Sequence, residues 1–227
     1  MGRLRLIVLT VLAACIGLIA AAPGRAGDTP ATELAKSLQR HYEGVRDFSA
    51  DFTHSYQGGV LRKPITERGR LLIKKPGRMR WDYMAPEEKV FVSDGTKMYS
   101  YIPQDKQVIV TSVPRDDQAT APALFLAGEG SLTRDFTPSL VAVPAGMPPD
   151  SKAIKLVPNR PQRDYDWLIL VIDAGRLDIR GLVTGDAQGG TSSFSFTNLK
   201  ENVGLTDKAF VFKIPRGVDV VTDWSRS

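Results

Sequence analysis

The chain is poor in the residues that most chemistry needs. Among 227 residues there is a single cysteine, Cys15, and only two histidines, His41 and His54. One thiol excludes an intrachain disulfide, so any fold must be held by its core. The histidines have no second cysteine and no carboxylate at ligand spacing beside them, which leaves no metal-binding pattern. A nucleophile elbow, a phosphate-binding loop and a dinucleotide fingerprint are all missing. Asp164, Asp166 and Asp173 read as edge and turn residues, not as a catalytic pair. With no nucleophile–base arrangement, no catalytic residue is expected, and neither is an enzyme or a cofactor.

Charge of one sign is also scarce. The formal net charge is +5. Three of the basic residues, Arg3, Arg5 and Arg25, lie in a leader that carries no acid; without it, Lys and Arg fall from 30 to 27 against 25 acids. That balance excludes a nucleic-acid footprint.

Long apolar runs occur only at the start. Residues 1–26 combine Arg3 and Arg5, the run Leu6 to Ala22, and the small-residue site Gly24-Arg25-Ala26. This is the pattern of a secretory signal peptide, and the run is slightly short for a membrane anchor. Leu12-Ala13-Ala14-Cys15 also fits a lipobox, whose lipidation would leave Cys15 as an anchored N-terminus. Against it, the run continues through Ile16 to Ile19, where a lipoprotein has a polar tether. Residues 27–227 then read as one domain, with no internal repeat.

What is present is alternation. Asp28 to Tyr42 reads as one helix, with Thr29 or Thr32 as cap and Leu34, Leu38 and Tyr42 on one stripe. Phe48, Ala50 and Phe52 then alternate with polar residues, as in a half-buried strand. Further strands are expected over Glu67–Ile73, Arg78–Tyr83, Lys89–Val92, Thr96–Ile102 and Gln107–Ser112. Beyond residue 150 they are expected over Ala153–Val157, Trp167–Asp173, Leu177–Thr184, Ser192–Asn198 and Ala209–Ile214. Asp94-Gly95, Ala174-Gly175 and Gly189-Gly190 stand at turns, so the fold class is mainly β, an antiparallel meander. Gln118 to Ala127 reads instead as a short greasy helix ended by Gly128, and Val141 to Pro149 as a proline-rich connector.

Residues 69–95 are the most informative. Leu71 and Ile73 share one parity before the break Lys75-Pro76-Gly77, Met79, Trp81 and Tyr83 alternate with Arg78, Arg80 and Asp82 after it, and Asp94-Gly95 makes a tight hairpin. The stretch resembles the signature of the LolA-type carriers of lipoproteins. Phe48-Ser49-Ala50-Asp51-Phe52 is similar to the family's first strand. Lys75-Pro76-Gly77-Arg78-Met79-Arg80-Trp81 is similar to its Arg-Pro-x-x-Phe-x-Trp motif. Val92-Ser93-Asp94-Gly95 with Tyr99 and Tyr101 resembles its hairpin, and Phe212 to Val220 its close.

The resemblance implies an incomplete, half-closed antiparallel β-barrel of about eleven strands, with short helices over its open mouth. It implies an apolar cavity for acyl chains, here Phe48, Phe52, Leu71, Ile73, Met79 and Trp81, under a lid carrying Leu124, Phe125 and Leu126. It implies a soluble, monomeric periplasmic chaperone. The partners it implies are acylated lipoproteins, an ATP-driven release complex in the inner membrane and an outer-membrane receptor. Two positions depart from the pattern. Lys75 stands where the family has a lid-locking Arg, and offers a point charge in place of a planar fork. Met79 stands where Phe is usual, and is the more adaptable lining.

Other readings stay open at this stage. In a generic β protein the same apolar faces are ordinary core. A lipidated Cys15 would make the chain the anchored receptor or an envelope lipid-binding lipoprotein. A regulatory sensor that moves no cargo is a further alternative, and a lipid hydrolase the remotest.

Overall fold

The structure is a computed structural model that describes residues 29–58, 64–113, 130–162 and 165–222. Helix α1, Pro30–Gly44, forms because its start and stripe agree. Thr29 caps it by accepting from the Thr32 N–H at 3.2 Å, Pro30 fills the first turn, and Glu33 faces the positive end of the helix dipole. Ala31, Ala35, Leu38 and Tyr42 form its buried stripe.

Among the described residues twelve strands make one open sheet. They are β1 (Asp47–Gln57), β2 (Ile65–Lys74), β3 (Arg78–Ala85), β4 (Lys89–Asp94), β5 (Lys97–Ile102) and β6 (Gln107–Ser112), then β7 (Phe136–Val141), β8 (Ser151–Pro158), β9 (Trp167–Asp173), β10 (Ile179–Gly185), β11 (Thr191–Glu201) and β12 (Asp219–Thr222). Their order is β12-β6-β5-β4-β3-β2-β1-β11-β10-β9-β8-β7, so among the described residues β7 and β12 are the edge strands and the sheet does not close. Two antiparallel meanders meet along the long pairing of β1 with β11, where Phe52 faces Phe196. Among the described strands only β12 runs parallel to its neighbour, β6.

The pleat fixes two faces. Leu71 pairs with Trp81 and Ile73 with Met79, which places these apolar residues on one inner surface. Together with α1 and strands β8 to β11 this surface builds the main core. The outer surface is buried in two places. Met147, from the proline-rich connector, packs with Ala153, Val171 and Val183 on the back of β8 to β10. Phe210 is 1 % exposed in a 3₁₀ turn, Asp207–Phe210, that lies on the back of β3 and β4.

That turn corrects one expectation. Ala209–Ile214 does not form a strand; it crosses the sheet, with Phe212 against Tyr99 and Tyr101 at 5.5 and 5.8 Å between ring centroids. Its alternation reflects one face packed on the sheet, with Val211 and Ile214 exposed. Strands β7 and β12 were not foreseen. Pro138 lies inside β7 and reads as a breaker, and β12 is only four residues long and fully exposed. The one-turn helix α2, Leu132–Asp135, packs on α1. Among the described residues no helix is long and apolar enough to cross a membrane.

Candidate functional site

Strands β1 to β4 and β11 supply the candidate surface. Phe48, Phe52, Leu71, Ile73, Met79 and Trp81 all lie on the inner face and join one cluster, each between 0 and 6 % exposed. Phe52 is central: its ring lies edge-on to Trp81 at 5.1 Å and to Tyr83 at 4.8 Å, and Phe194 adds a further contact at 6.0 Å. The close approach depends on Gly69 of β2, where an added Cβ would fall 2.6 Å from the Phe52 ring. Phe194 and Phe196 of β11 stack nearly parallel, 6.2 Å apart, and belong to this surface. Sequence reasoning missed both, although Phe194 and Phe196 alternate as Phe48 and Phe52 do.

Lys75 lies at the end of this face where β2 turns into β3. Two motif segments build that corner together. Buried Ser93 donates from its hydroxyl to the Gly77 carbonyl at 2.6 Å and accepts from the Gly95 N–H at 3.3 Å. Asp94 accepts the N–H groups of Thr96 and Lys97 at 2.8 and 2.7 Å, and Gly95 supplies the positive φ of +94°. Lys75 donates from Nζ to the backbone carbonyl of Tyr42 in the last turn of α1. A cation there meets the negative end of the helix dipole. Burial lowers the Lys75 pKa, and the carboxylates of Glu43 and Glu201 act against that shift.

Polar groups collect at the opposite end of the same face. His54 stacks on Phe194 at 4.1 Å, with Nε2 2.9 Å from the Ser192 hydroxyl. Its Nδ1 lies 3.3 Å from a Glu67 carboxylate oxygen and 3.3 Å from the Tyr83 hydroxyl. Lys89 donates to the other Glu67 oxygen at 2.5 Å. Burial holds the His54 pKa below its usual value despite Glu67, and pushes the Tyr83 hydroxyl well above its own. His54 thus sits on the inner face at the parity its strand predicts.

The fold also brings together what linear spacing hid. His41, Asp178 and Glu201, from three separate segments, place ligand atoms within 4.8 Å of one another. All three are engaged in ion pairs, Glu201 with His41 at 2.9 Å and Asp178 with Arg176 at 2.6 Å. On the outer face a cavity of about 450 Å³ is lined by Arg80, Lys208, Val211, Phe212 and Lys213. The expected lid, with Leu124, Phe125 and Leu126, lies outside the described residues.

Comparison with known proteins gives this architecture its relatives. The family model described as outer membrane lipoprotein carrier protein LolA matches residues 43–213. The outer-membrane lipoprotein carrier protein of Chromohalobacter salexigens is 32 % identical over 191 residues, which cover 83 % of this chain and 87 % of the relative. The protein of the same description from Methylococcus capsulatus is 31 % identical over 199 residues, covering 88 % and 90 %. Among solved structures, an uncharacterized conserved protein from Thermus thermophilus superposes with a TM-score of 0.53 at 13 % identity, covering 86 % of this chain and all of that one. The shared fold, the motif corner at Lys75 and the match along most of its length mean that the chain belongs to the LolA family of outer-membrane lipoprotein carrier proteins.

Proposed function

We propose that the protein is a periplasmic chaperone that binds the acyl chains of lipoproteins on its inner face and carries them from the inner to the outer membrane. The observation that carries this reading is the aromatic and aliphatic inner surface of an unclosed sheet, roofed by a helix whose C-terminal turn meets the barrel through Lys75 and Tyr42. Family membership and the names of the relatives support it. The leader-like residues 1–26 support export, after which the mature chain works between the membranes.

The physical task is transfer. Each CH₂ taken out of water contributes ~0.8 kcal/mol, so an acyl chain does not cross an aqueous compartment unaided. Here the inner face is filled by its own side chains when α1 is docked. Cargo therefore enters by displacing a cover, and re-docking of the cover favours release. Lys75 links cover to barrel in the place of the family's Arg, beside the contacts of Tyr42 with Ile179 and His41 with Glu201. Loading at an ATP-driven release complex and unloading at an outer-membrane receptor complete the cycle, and no catalytic step is needed.

The test is a transfer assay. Mature protein is incubated with spheroplasts carrying labelled lipoprotein, then with outer-membrane vesicles. A soluble equimolar complex that delivers its cargo is the expected result. Absence of any soluble complex would defeat the reading. Incorporation of labelled palmitate at Cys15 would instead assign the chain to the anchored receptor class.

A further inference from the structure

Five adjacent strands change character toward the same end of the inner face. Along β1 the inward residues run Phe48, Ala50, Phe52 and then His54; along β2, Ile73, Leu71, Gly69 and then Glu67. On β3, Met79 and Trp81 give way to Tyr83; on β4, Phe91 gives way to Lys89; on β11, Phe196 and Phe194 give way to Ser192. Register places His54 opposite Glu67 and Tyr83 opposite Lys89, while Tyr83 also lies opposite Gly69 and Ser192 opposite Tyr56. Side-chain contacts join the five into a belt: His54 meets Ser192 at 2.9 Å and Tyr83 at 3.3 Å, and Lys89 meets Glu67 at 2.5 Å. The belt borders the aromatic floor directly, since His54 stacks on Phe194 and Tyr83 packs on Phe52. His54 lies seven residues along β1 from Asp47, which places the belt about 23 Å from the Lys75 corner at the strand rise.

Stability does not explain the belt. The Glu67 and Lys89 side chains are only 10 and 24 % exposed, and an ion pair so withdrawn from water gains little over apolar replacements. Its chemistry suits an amphiphile. Lys89, Tyr83 and Ser192 carry donors of the kind carbonyl oxygens accept, at the point where the surface stops accepting hydrocarbon.

We propose that this belt recognises the ester and amide carbonyls of a diacylglyceryl-cysteine head group, while its chains run along the aromatic floor toward α1. The proposal rests on the carrier reading and adds the orientation and the head-group selectivity of the same site. On binding, Lys89 and Tyr83 exchange part of their contact with Glu67 and His54 for cargo oxygens.

The experiment uses mature protein and two synthetic probes, an N-acetylated diacylglyceryl-cysteine peptide and its dialkyl-ether analogue of equal chain length on a des-amino residue. The first carries the ester carbonyls and N-terminal amide; the second lacks both. Wild type is expected to bind the first at least about tenfold more tightly, the worth of one charge-assisted hydrogen bond. Glu67→Gln/Lys89→Met removes the pair without stranding a charge, and should bring the ratio below about twofold while a cooperative thermal transition persists. Ser192→Ala, a milder change, should lower the ratio by a few-fold. A wild-type ratio near one, or an undiminished ratio in both variants, overturns the belt while leaving the carrier reading in place. Failure of wild type to bind either probe overturns the carrier reading itself.

Discussion

Lys75 and Tyr42 hold each other through two parts of one residue: the lysine Nζ donates to the Tyr42 carbonyl and lies 5.9 Å from the centre of its ring. The same tyrosine is tied to the far meander, where its hydroxyl accepts the Ile179 N–H at 3.0 Å. Its carbonyl also accepts the Val45 N–H at 3.2 Å, which ends the helix. One residue of α1 thus joins the β2–β3 corner, the helix terminus and β10. Burial pushes the Tyr42 hydroxyl above its ordinary range, so it stays protonated throughout the pH range of the envelope.

The first prediction concerns that link. A hydrogen bond to a charged donor contributes ~1.5–3 kcal/mol, enough to bias a two-state cover by roughly tenfold or more. Lys75→Leu is expected to take up lipoprotein normally but to deliver it poorly, because the empty closed state no longer helps expel it. Lys75→Arg should transfer at least as well as wild type. Delivery by Lys75→Leu at the wild-type rate would show that position 75 does not govern the switch.

The inner face is tested at Met79, which is 5 % exposed. Met79→Glu should abolish lipopeptide binding, since an unpaired charge in apolar surroundings costs several kcal/mol. Met79→Leu, nearly equal in volume, should bind normally. Circular dichroism establishes that the β fold is retained. A folded Met79→Glu protein with ordinary uptake removes this residue from the cargo surface. Ile73 is a poorer probe because it is 0 % exposed, and a charge there threatens the fold itself.

The third expectation is a pH dependence. Burial holds the His54 pKa below 6.5, outweighing Glu67 beside it. The unfolded chain therefore binds the proton more readily than the native one. Stability from this group is complete above 6.5 and is lost as pH falls through that value toward the folded pKa. Urea midpoints measured between about pH 5 and 8 should show the decline, superimposed on that of the carboxylates. His54→Gln, which does not titrate, should flatten the part just below neutrality. An unchanged slope would mean that His54 is equally basic in both states.

Gly69 supplies a fourth. A Cβ there would lie 2.1 Å from the Asp82 carbonyl oxygen as well as against Phe52. Gly69→Ala is expected to cost ~1–3 kcal/mol or more, because the backbone of β3 cannot yield as a side chain does. Trimming the ring with Phe52→Leu should not rescue it. Rescue, read as a restored urea midpoint, would mean that the ring alone was the obstacle.

The sequence announced most of the inner face and little of what surrounds it. Period-two alternation identified Leu71, Ile73, Met79 and Trp81 as neighbours, because pleating and register are local consequences of a hairpin. Gln107–Ser112 and Trp167–Asp173 were legible to the residue, the first opened by the turn at Pro103–Asp105 and the second closed by the turn at Ala174-Gly175. The helix came two residues early, since Thr29 proved to be the cap and Pro30 the first helical residue. Phe194, Phe196 and Ser192 were harder, because their place beside β1 depends on a pairing across some 140 positions, as in His54 with Phe194. The crossing of the sheet by Ala209–Ile214 was illegible for a different reason. A segment packed flat on a sheet alternates much as a strand does, and only the missing partner for its backbone tells them apart.

A sheet that never closes on itself keeps two borders at which a second chain can add itself. The way this sheet ends deals with that hazard. At one border β7 carries Pro138, which has no N–H to offer a newcomer. At the other, the C-terminal arm turns back so that Asp219 donates its N–H to Lys106 and four residues cover the apolar run of β6. A short strand with an acidic start is a poor template for fibril growth. The molecule can therefore remain open toward cargo without being open toward its own copies, and a chain cut short before Asp219 would be expected to lose solubility before it lost its fold.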